Sequence, residues 1–406
     1  MKRTSLFTLV TILVLGVTTL QSCFKDHLQP DPARAQLQQL TDSLYQHFNE
    51  KWDLEKNKGG FFLQVNNPSG STLVSTNIEP GVQGNTHYRI ASLSKIFTSA
   101  AILLLQQEGK LTITDYIPDY LPVTPAYDIP NKNQITIKQL LQHRAGVFDI
   151  TNQDIPTTVS QPYAGKRYID YIRDDLNQET HTFTFDELVG VVAQNQLSNF
   201  APGTTFQYSN TGYNLLGKII EKASGVSYSD FIRTRFLEPL QLTNTYNVWQ
   251  GTDTRMKDPF VNSYLLVPGQ SPIDTPEDNM SMNVTEGDMV SSPDDITRWI
   301  ELLLTGKAGL TPQSIALMEE MEIADASHGV YGLGLTFNDG MGFGHDGAHL
   351  SYISTLRYNP VTKTTVLMVA NFIKTNTTPE TNFNDFLELA LGVRNTALRA
   401  AQVANK

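Results

Sequence analysis

A single cysteine, Cys23, stands in 406 residues. No disulfide can close within one chain, and no zinc site built on paired thiolates is available. The chain has no H-E-x-x-H pair for a metalloprotease and no G-x-S-x-G elbow for an α/β-hydrolase. Basic residues are few: 30 Lys and Arg stand against 41 Asp and Glu, a net charge of −11. No basic stripe appears, so nucleic acid is a poor partner. The one long apolar run, Leu6 to Leu20, is short for a membrane span. Repeats and low-complexity tracts are missing too. The 40% apolar and 17% charged content, with 20 Pro and 27 Gly scattered along the chain, describes an ordinary globular protein. Its length suits one large domain or two intimate ones.

What is present begins with a targeting segment. Lys2 and Arg3 precede the apolar Leu6–Leu20 run, the shape of an export signal. Leu20-Gln21-Ser22-Cys23 then has the form of a bacterial lipobox, with Cys23 as the lipid acceptor. Residues 1–22 are read as a lipoprotein signal peptide and 23–32, with Pro30 and Pro32, as a tether. Losing Lys2 and Arg3 leaves 28 basic against 41 acidic residues, or −13. A lipid anchor would hold such a protein in the bacterial envelope, periplasm-facing or at the outer membrane, without a spanning helix.

Residues 33–52 place Leu37, Leu40, Leu44 and Phe48 at helical spacing. GGFFLQV, the turn NNPSG and STLVST predict a β-hairpin. MGFGHDG, YISTLRYN and TTVLMVANF predict consecutive antiparallel strands, and a final helix is expected over 379–391. Between lie helical patterns at 136–143, 184–195, 211–224, 228–236 and 293–305. The expectation is an α+β fold: an antiparallel sheet flanked by helices, built from about 33–111 and 306–392, with a mainly helical region at about 112–305. Residues 393–406 read as a tail outside that domain.

Three short motifs carry chemistry. Ser92 and Lys95 share one face at the head of a run, Ile96 to Leu105, that is apolar nearly all round. A lysine at a helix N-terminus opposes the dipole, and burial disfavours its charge, which leaves an amine able to take a proton. The bland alternative is a serine cap with a lysine reaching to water. Ser22 and Lys25 show the same S-x-x-K spacing and can hardly be catalytic. Tyr208-Ser209-Asn210 forms the chain's one Y-x-N, in a loop before a helix, where a tyrosine can relay a proton and an asparagine can bind an amide. His345-Asp346-Gly347 is the one H-x-G, on a predicted strand, and Gly347 permits close backbone approach. Each has a plain alternative: a buried tyrosine beside a turn, a satisfied histidine, a chance glycine. His345 and His349 would need a helix to chelate a metal, and the glycines around them oppose one.

These motifs, in this order, resemble the serine β-lactamase and penicillin-binding-protein family. YRIASLSKIFT, ITIKQLLQHRAGV, PGTTFQYSNTGYNLLGKIIE, GDMVSSPDDITRW and YGLGLTF are similar to segments of its branch of class C β-lactamases, D-Ala-D-Ala carboxypeptidases, D-aminopeptidases and esterases. The resemblance covers roughly residues 35–392 and is nearest to the carboxypeptidases. It implies a β-lactamase/DD-peptidase-like fold over 33–392 and attack by Ser92 on a carbonyl to give an acyl-enzyme. Lys95 and Tyr208 would relay the proton, and Asn210 and His345 would orient substrate. The Ser92 and Ala348 N–H groups would receive the oxyanion beside Gly347. No metal or cofactor is implied, and the partner is a small peptide, amide or ester.

The substrate side departs from the carboxypeptidase pattern. Asp346 and Ala348 stand where hydroxyl or small residues are usual, and Thr336 where an arginine would hold a carboxylate. Strand alternation could turn Asp346 away from the cleft. The leading expectation is a hydrolase of D-Ala-D-Ala-type peptides or related amides and esters. An esterase or a β-lactamase of the same family follows, and a non-catalytic peptidoglycan or β-lactam binder is the alternative of another class.

Overall fold

The computed structural model describes residues 31–406 apart from 179, 249–253 and 376–377. Cys23, its flanking signal and tether to Pro30, and the Ser22–Lys25 pair lie outside the described residues. Among those described, no helix is long and apolar enough to cross a membrane.

The hairpin forms as β1 (Phe61–Asn67) and β2 (Gly70–Thr76). Six further strands complete an antiparallel sheet: β3 (Glu322–Ile323), β4 (Val330–Tyr331), β5 (Thr336–Asn338), β6 (Gly342–His349), β7 (Tyr352–Asn359) and β8 (Thr364–Ala370). Their order in space is β2-β1-β8-β7-β6-β5-β4-β3. The N-terminal hairpin therefore pairs with the last strand, Leu63 facing Met368.

Period-two alternation makes β1 and β8 the floor of two cores. Phe61, Leu63, Val366 and Met368 face one side, with helices α1 (Pro32–Trp52) and, at the chain's end, Pro379–Ala404. Phe62, Leu367 and Val369 face the other, with α2 (Ser94–Gln107). Within α2 every residue from Ser94 to Leu105 is buried, as its all-round apolar run predicts. Phe97 of α2 stacks on Trp299 with ring centroids 4.0 Å apart. The inserted region holds α3 (Ile137–Leu141), α4 (Phe185–Gln194), α5 (Asn210–Ser224) and α6 (Pro293–Leu304), with shorter helical segments such as Tyr228–Ile232 and small strands between. The final helix, α7, runs from Pro379 to Ala404.

The end of the chain differs from expectation. The helix expected over 379–391 continues to Ala404, so residues 393–404 are not a tail. Val393, Ala397, Ala400 and Ala401 are buried in the core shared with α1. Small residues there let α7 lie close, and Gly392 faces Phe48 and Leu44 across a gap with no room for a larger side chain at ease. The sequence pattern of spaced alanines was too weakly apolar to stand out from solvent-facing helix.

Val393→Asp would bury an unpaired carboxylate in this interface. It is expected to lower the unfolding free energy by more than about 3 kcal/mol, read as a fall in the thermal midpoint. Removing residues 393–406 should do the same, and a melt untouched by both changes would show the segment to be dispensable.

Candidate active site

Ser92 lies in a 3-10 turn, Ala91–Leu93, that runs directly into α2. It is not the helix cap: the N-cap position is Leu93, with no side-chain bond. Ala91 has φ +50, an uncommon value for a residue with a side chain, and this kink presents Ser92 at the cleft. Ser92 Oγ receives Lys95 Nζ at 3.1 Å and Tyr208 Oη at 3.0 Å. Lys95 does not reach to water; it is fully buried. The structure thus removes the capping and surface-lysine alternative.

Four oxygens surround Lys95 Nζ. Besides Ser92 they are Asn210 Oδ1 at 2.8 Å, the Glu286 carbonyl at 2.9 Å and Glu286 Oε2 at 2.9 Å. An ammonium has three hydrogens, and the Ser92 contact is the longest of the four. Glu286 is the residue that sequence reasoning missed. Its side chain is 2% exposed, and Asn283 Nδ2 holds its other oxygen at 2.7 Å. Its backbone is fixed by Thr285, a β-branched residue at φ +71. Thr285 is locked by its own hydroxyl on the Tyr213 carbonyl and by Thr98 on its carbonyl. The only signal in the sequence was one of the two carboxylates in VTEGDM, just ahead of the GDMVSSPDDITRW segment.

Tyr208 precedes α5, and Ser209 caps that helix by accepting from Gly212 N. Asn210, the first residue of α5, spends its carbonyl on Lys95 and an amide hydrogen on Thr151 Oγ1 at 3.0 Å. Burial raises the Tyr208 phenol well above its ordinary value, so it is a neutral donor.

His345 and Gly347 sit on β6. A Cβ on Gly347 would lie 2.6 Å from the Ile90 carbonyl oxygen, so only glycine lets β6 approach the turn that carries Ser92. β5 covers β6 only at Gly342–Gly344, and beyond that its edge is open. The Asp346 carbonyl accepts from the His345 ring, so residue 346 turns its backbone groups to this edge. By the alternation of an antiparallel ladder, Ala348 turns its N–H the same way.

His345 is held in a directed chain. Ser209 N–H donates to His143 Nδ1, which leaves His143 Nε2–H for Tyr331 Oη at 3.2 Å. Tyr331 Oη then lies 2.8 Å from His345 Nε2, and His345 Nδ1 faces the Asp346 carbonyl. One consistent assignment keeps both rings neutral. Burial, then the nearby Lys95 charge, pushes His345 down to about 3, and burial pushes His143 down as well. His143 and Tyr331 stand in HRAGV and YGLGLTF, but nothing in the spacing of either segment marks them as partners of His345.

Asp346 reaches Arg394 of α7 while still lining the same cavity as Ser92. Thr355 donates to it at 2.6 Å, Arg357 pairs with it at 2.9 Å, and Arg394 of α7 binds its other oxygen. The two guanidinium groups hold its carboxyl well below the usual range despite burial. Thr336 carries no arginine of its own but accepts from Arg357 Nη2 at 2.9 Å. The patch feared to be acidic is therefore neutralised with one positive charge to spare. Sequence reasoning missed Arg357 and Arg394 because they lie on other elements. His345 and His349 lie on a strand, and His349 Nε2 binds Asp278 Oδ2 at 2.6 Å.

Ser92, Tyr208, Asn210, Glu286, His345, Gly347 and Ala348 line one cavity of about 460 Å³. The chemistry it can support is nucleophilic: a buried amine–carboxylate pair and a neutral phenol converge on one hydroxyl oxygen.

A family model described as Beta-lactamase matches residues 65–388. Protein flp of Staphylococcus aureus (strain NCTC 8325 / PS 47) is 30% identical over 292 residues, 70% of this chain and 53% of that protein. The chain thus spans about half the length of the curated relatives it matches. A D-stereospecific amidohydrolase from Streptomyces sp. superposes with a TM-score of 0.69 at 24% identity, over 81% of this chain and 94% of that one. The D-amino acid amidase from Ochrobactrum anthropi SV3, complexed with L-phenylalanine amide, gives 0.65 at 22% identity, over 88% and 99%. The two structural likenesses speak for the fold.

The neutral His345 ring makes a pH prediction. Its folded value, about 3, lies below the ordinary 6.5, so the unfolded chain binds the proton first as pH falls. Its contribution to stability is whole above pH 6.5 and is lost as pH drops from 6.5 toward 3, at roughly 1.4 kcal/mol per pH unit. His345→Gln is expected to shallow the pH dependence of unfolding free energy in that window by about one proton. Chemical denaturation at several pH values measures it, and an unchanged slope would mean the ring is already charged in the native state.

Proposed function

The chain belongs to the β-lactamase family, and on that premise we propose that it is a serine hydrolase that forms an acyl-enzyme on Ser92. Its substrates are D-Ala-D-Ala-type peptides or related amides and esters. The observation that carries this reading is the convergence of Lys95 Nζ and Tyr208 Oη on Ser92 Oγ.

With Tyr208 held neutral by burial, the proton acceptor in contact with Ser92 is the Lys95 amine. Glu286 Oε2, 2.9 Å from Nζ, gives the lysine's own third proton a place to go. The three groups form one coupled proton store rather than separate acids and bases. Ser92 Oγ then bonds to the carbonyl carbon, and the Ser92 and Ala348 N–H groups receive the oxyanion. Tyr208 hands a proton to the departing atom. Water later releases the acyl group by the same relay.

The amide preference draws support from the amidohydrolase and amidase among its structural neighbours. A second reading, an esterase, is favoured by one observation: the histidine at the third motif is neutral, with both ring nitrogens occupied by the protein. The third-motif ring itself therefore offers no fixed charge to a terminal carboxylate.

Mass spectrometry after a fluorophosphonate and a β-lactam tests the nucleophile. The native protein should gain one adduct per chain and Ser92→Ala none. Label that persists in Ser92→Ala overturns the assignment. A native protein labelled by neither reagent favours a binding protein without turnover, and D-Ala-D-Ala peptide, p-nitrophenyl acetate and nitrocefin separate the enzyme classes.

We also propose that the protein is an envelope lipoprotein acylated at Cys23, on the strength of its export-signal shape and Leu20–Cys23. Metabolic labelling with an alkynyl fatty acid should mark the native chain in a bacterial host. Loss of the label in Cys23→Ser is expected, and equal labelling of both chains would exclude this site.

A further inference from the structure

Helix α7 carries two apolar stripes. The first, Leu389, Val393, Ala397 and Ala400, is buried against the sheet and α1. The second is Phe383, Phe386, Leu387, Ala390 and Leu391, at i, i+3, i+4, i+7 and i+8, with Arg394 one turn on. Phe386 and Ala390 touch the core's edge, but Phe383 is 58% and Leu391 41% exposed. All five line the same cavity as Ser92. An apolar helix stripe left open inside a reactive cleft calls for a cover.

Contacts along the wall say which part of a substrate would supply it. Tyr208 is the neutral donor on Ser92 Oγ, so the atom that departs from the carbonyl carbon must lie on Tyr208's side to collect a proton. That side continues without a break. Tyr208 stacks on His328 with centroids 5.0 Å apart, and the neighbouring Ser327 carbonyl is met by Arg394 Nη2 at 3.5 Å. Arg394 is fixed by Asp346, and the open stripe runs on from it. The departing group is thus led from the phenol to the face of α7.

We propose that the second stripe of α7 is the seat of the substrate's departing part, and that this part is an amine carrying an aromatic or branched aliphatic side chain rather than one of alanine's size. The proposal rests on Ser92 being the nucleophile. In the step itself the bond from Ser92 Oγ to the carbonyl carbon forms first, and collapse of that adduct breaks the carbon's bond to the departing nitrogen. The proton lost by the Ser92 hydroxyl is matched by the one the amine gains through Tyr208. The cavity, about 460 Å³ in all, has room for a ring beyond the scissile bond.

The test holds the acyl part at D-alanyl and varies the departing residue. For the native protein kcat/KM on D-Ala-D-Phe and D-Ala-D-Leu should exceed that on D-Ala-D-Ala by about 10-fold, the worth of partial burial of such a side chain. In a Leu387→Gln, Leu391→Gln double variant the ratio should fall to near one, while an unchanged melting curve shows that both positions tolerate the change. Equal rates in the native protein, or a preference that survives in the double variant, overturn the proposal. Equilibrium binding of the same dipeptides to Ser92→Ala reads the seat without turnover. Tighter binding of the bulky dipeptides supports it, and equal binding overturns it. Failure of the nucleophile assignment is seen separately, as fluorophosphonate label that persists in Ser92→Ala.

Discussion

A lysine with no exposure to water governs the architecture around it. An ammonium removed from solvent is costly unless every hydrogen finds an oxygen and an opposite charge lies near. Lys95 meets both demands, but its oxygens come from chain segments far apart in sequence: Ser92 beside it, Asn210 at the head of α5 and Glu286 in a loop before α6. Satisfying one side chain therefore docks the inserted helical region onto α2. Two strained residues, Ala91 and Thr285, bracket this point. Their positive φ values are held by packing and by hydrogen bonds, and each aims the residue that follows it.

Around that charged centre the histidine wall is neutral, and the wall toward α7 keeps one positive charge in excess. The His143–Tyr331–His345 chain consumes every ring nitrogen it contains, and Asp346 is neutralised between Arg357 and Arg394. The Lys95–Glu286 pair is withdrawn from water. Interactions in such a low-dielectric setting are stronger than their counterparts in water. The arginine that seemed missing at Thr336 has a partial counterpart: Arg357 reaches Thr336 from β7, though it serves Asp346 first.

Local pattern made much of this legible. The 33–52 helix, the 61–76 hairpin and the strands from 342 to 370 follow from spacing alone, because period 3.6 and period 2 are written in neighbouring residues. The motif residues Ser92, Lys95, Tyr208 and Asn210 were visible as short strings. What escaped was whatever depended on partners distant in sequence. Glu286 has no motif, yet it is the counter-charge of Lys95. Asp346 looked like a defect until Arg357 from the next strand and Arg394 from the last helix arrived beside it. The segment after 392 looked like surplus because most of its buried residues are alanines, and small side chains give little periodic signal even when they make the closest contacts.

The pairing of β1 with β8 has a temporal side. Ser92 and Lys95 belong to the first quarter of the chain, but β1 finds its second neighbour only when residues 364–370 exist. Gly347, which backs the serine turn, and α7, which closes the outer core, also come late. Long-range pairings of this kind make folding wait on distant contacts. The Ser92 hydroxyl is synthesised early and acquires its full set of neighbours last, so an unfinished chain carries the serine without the residues that come to surround it.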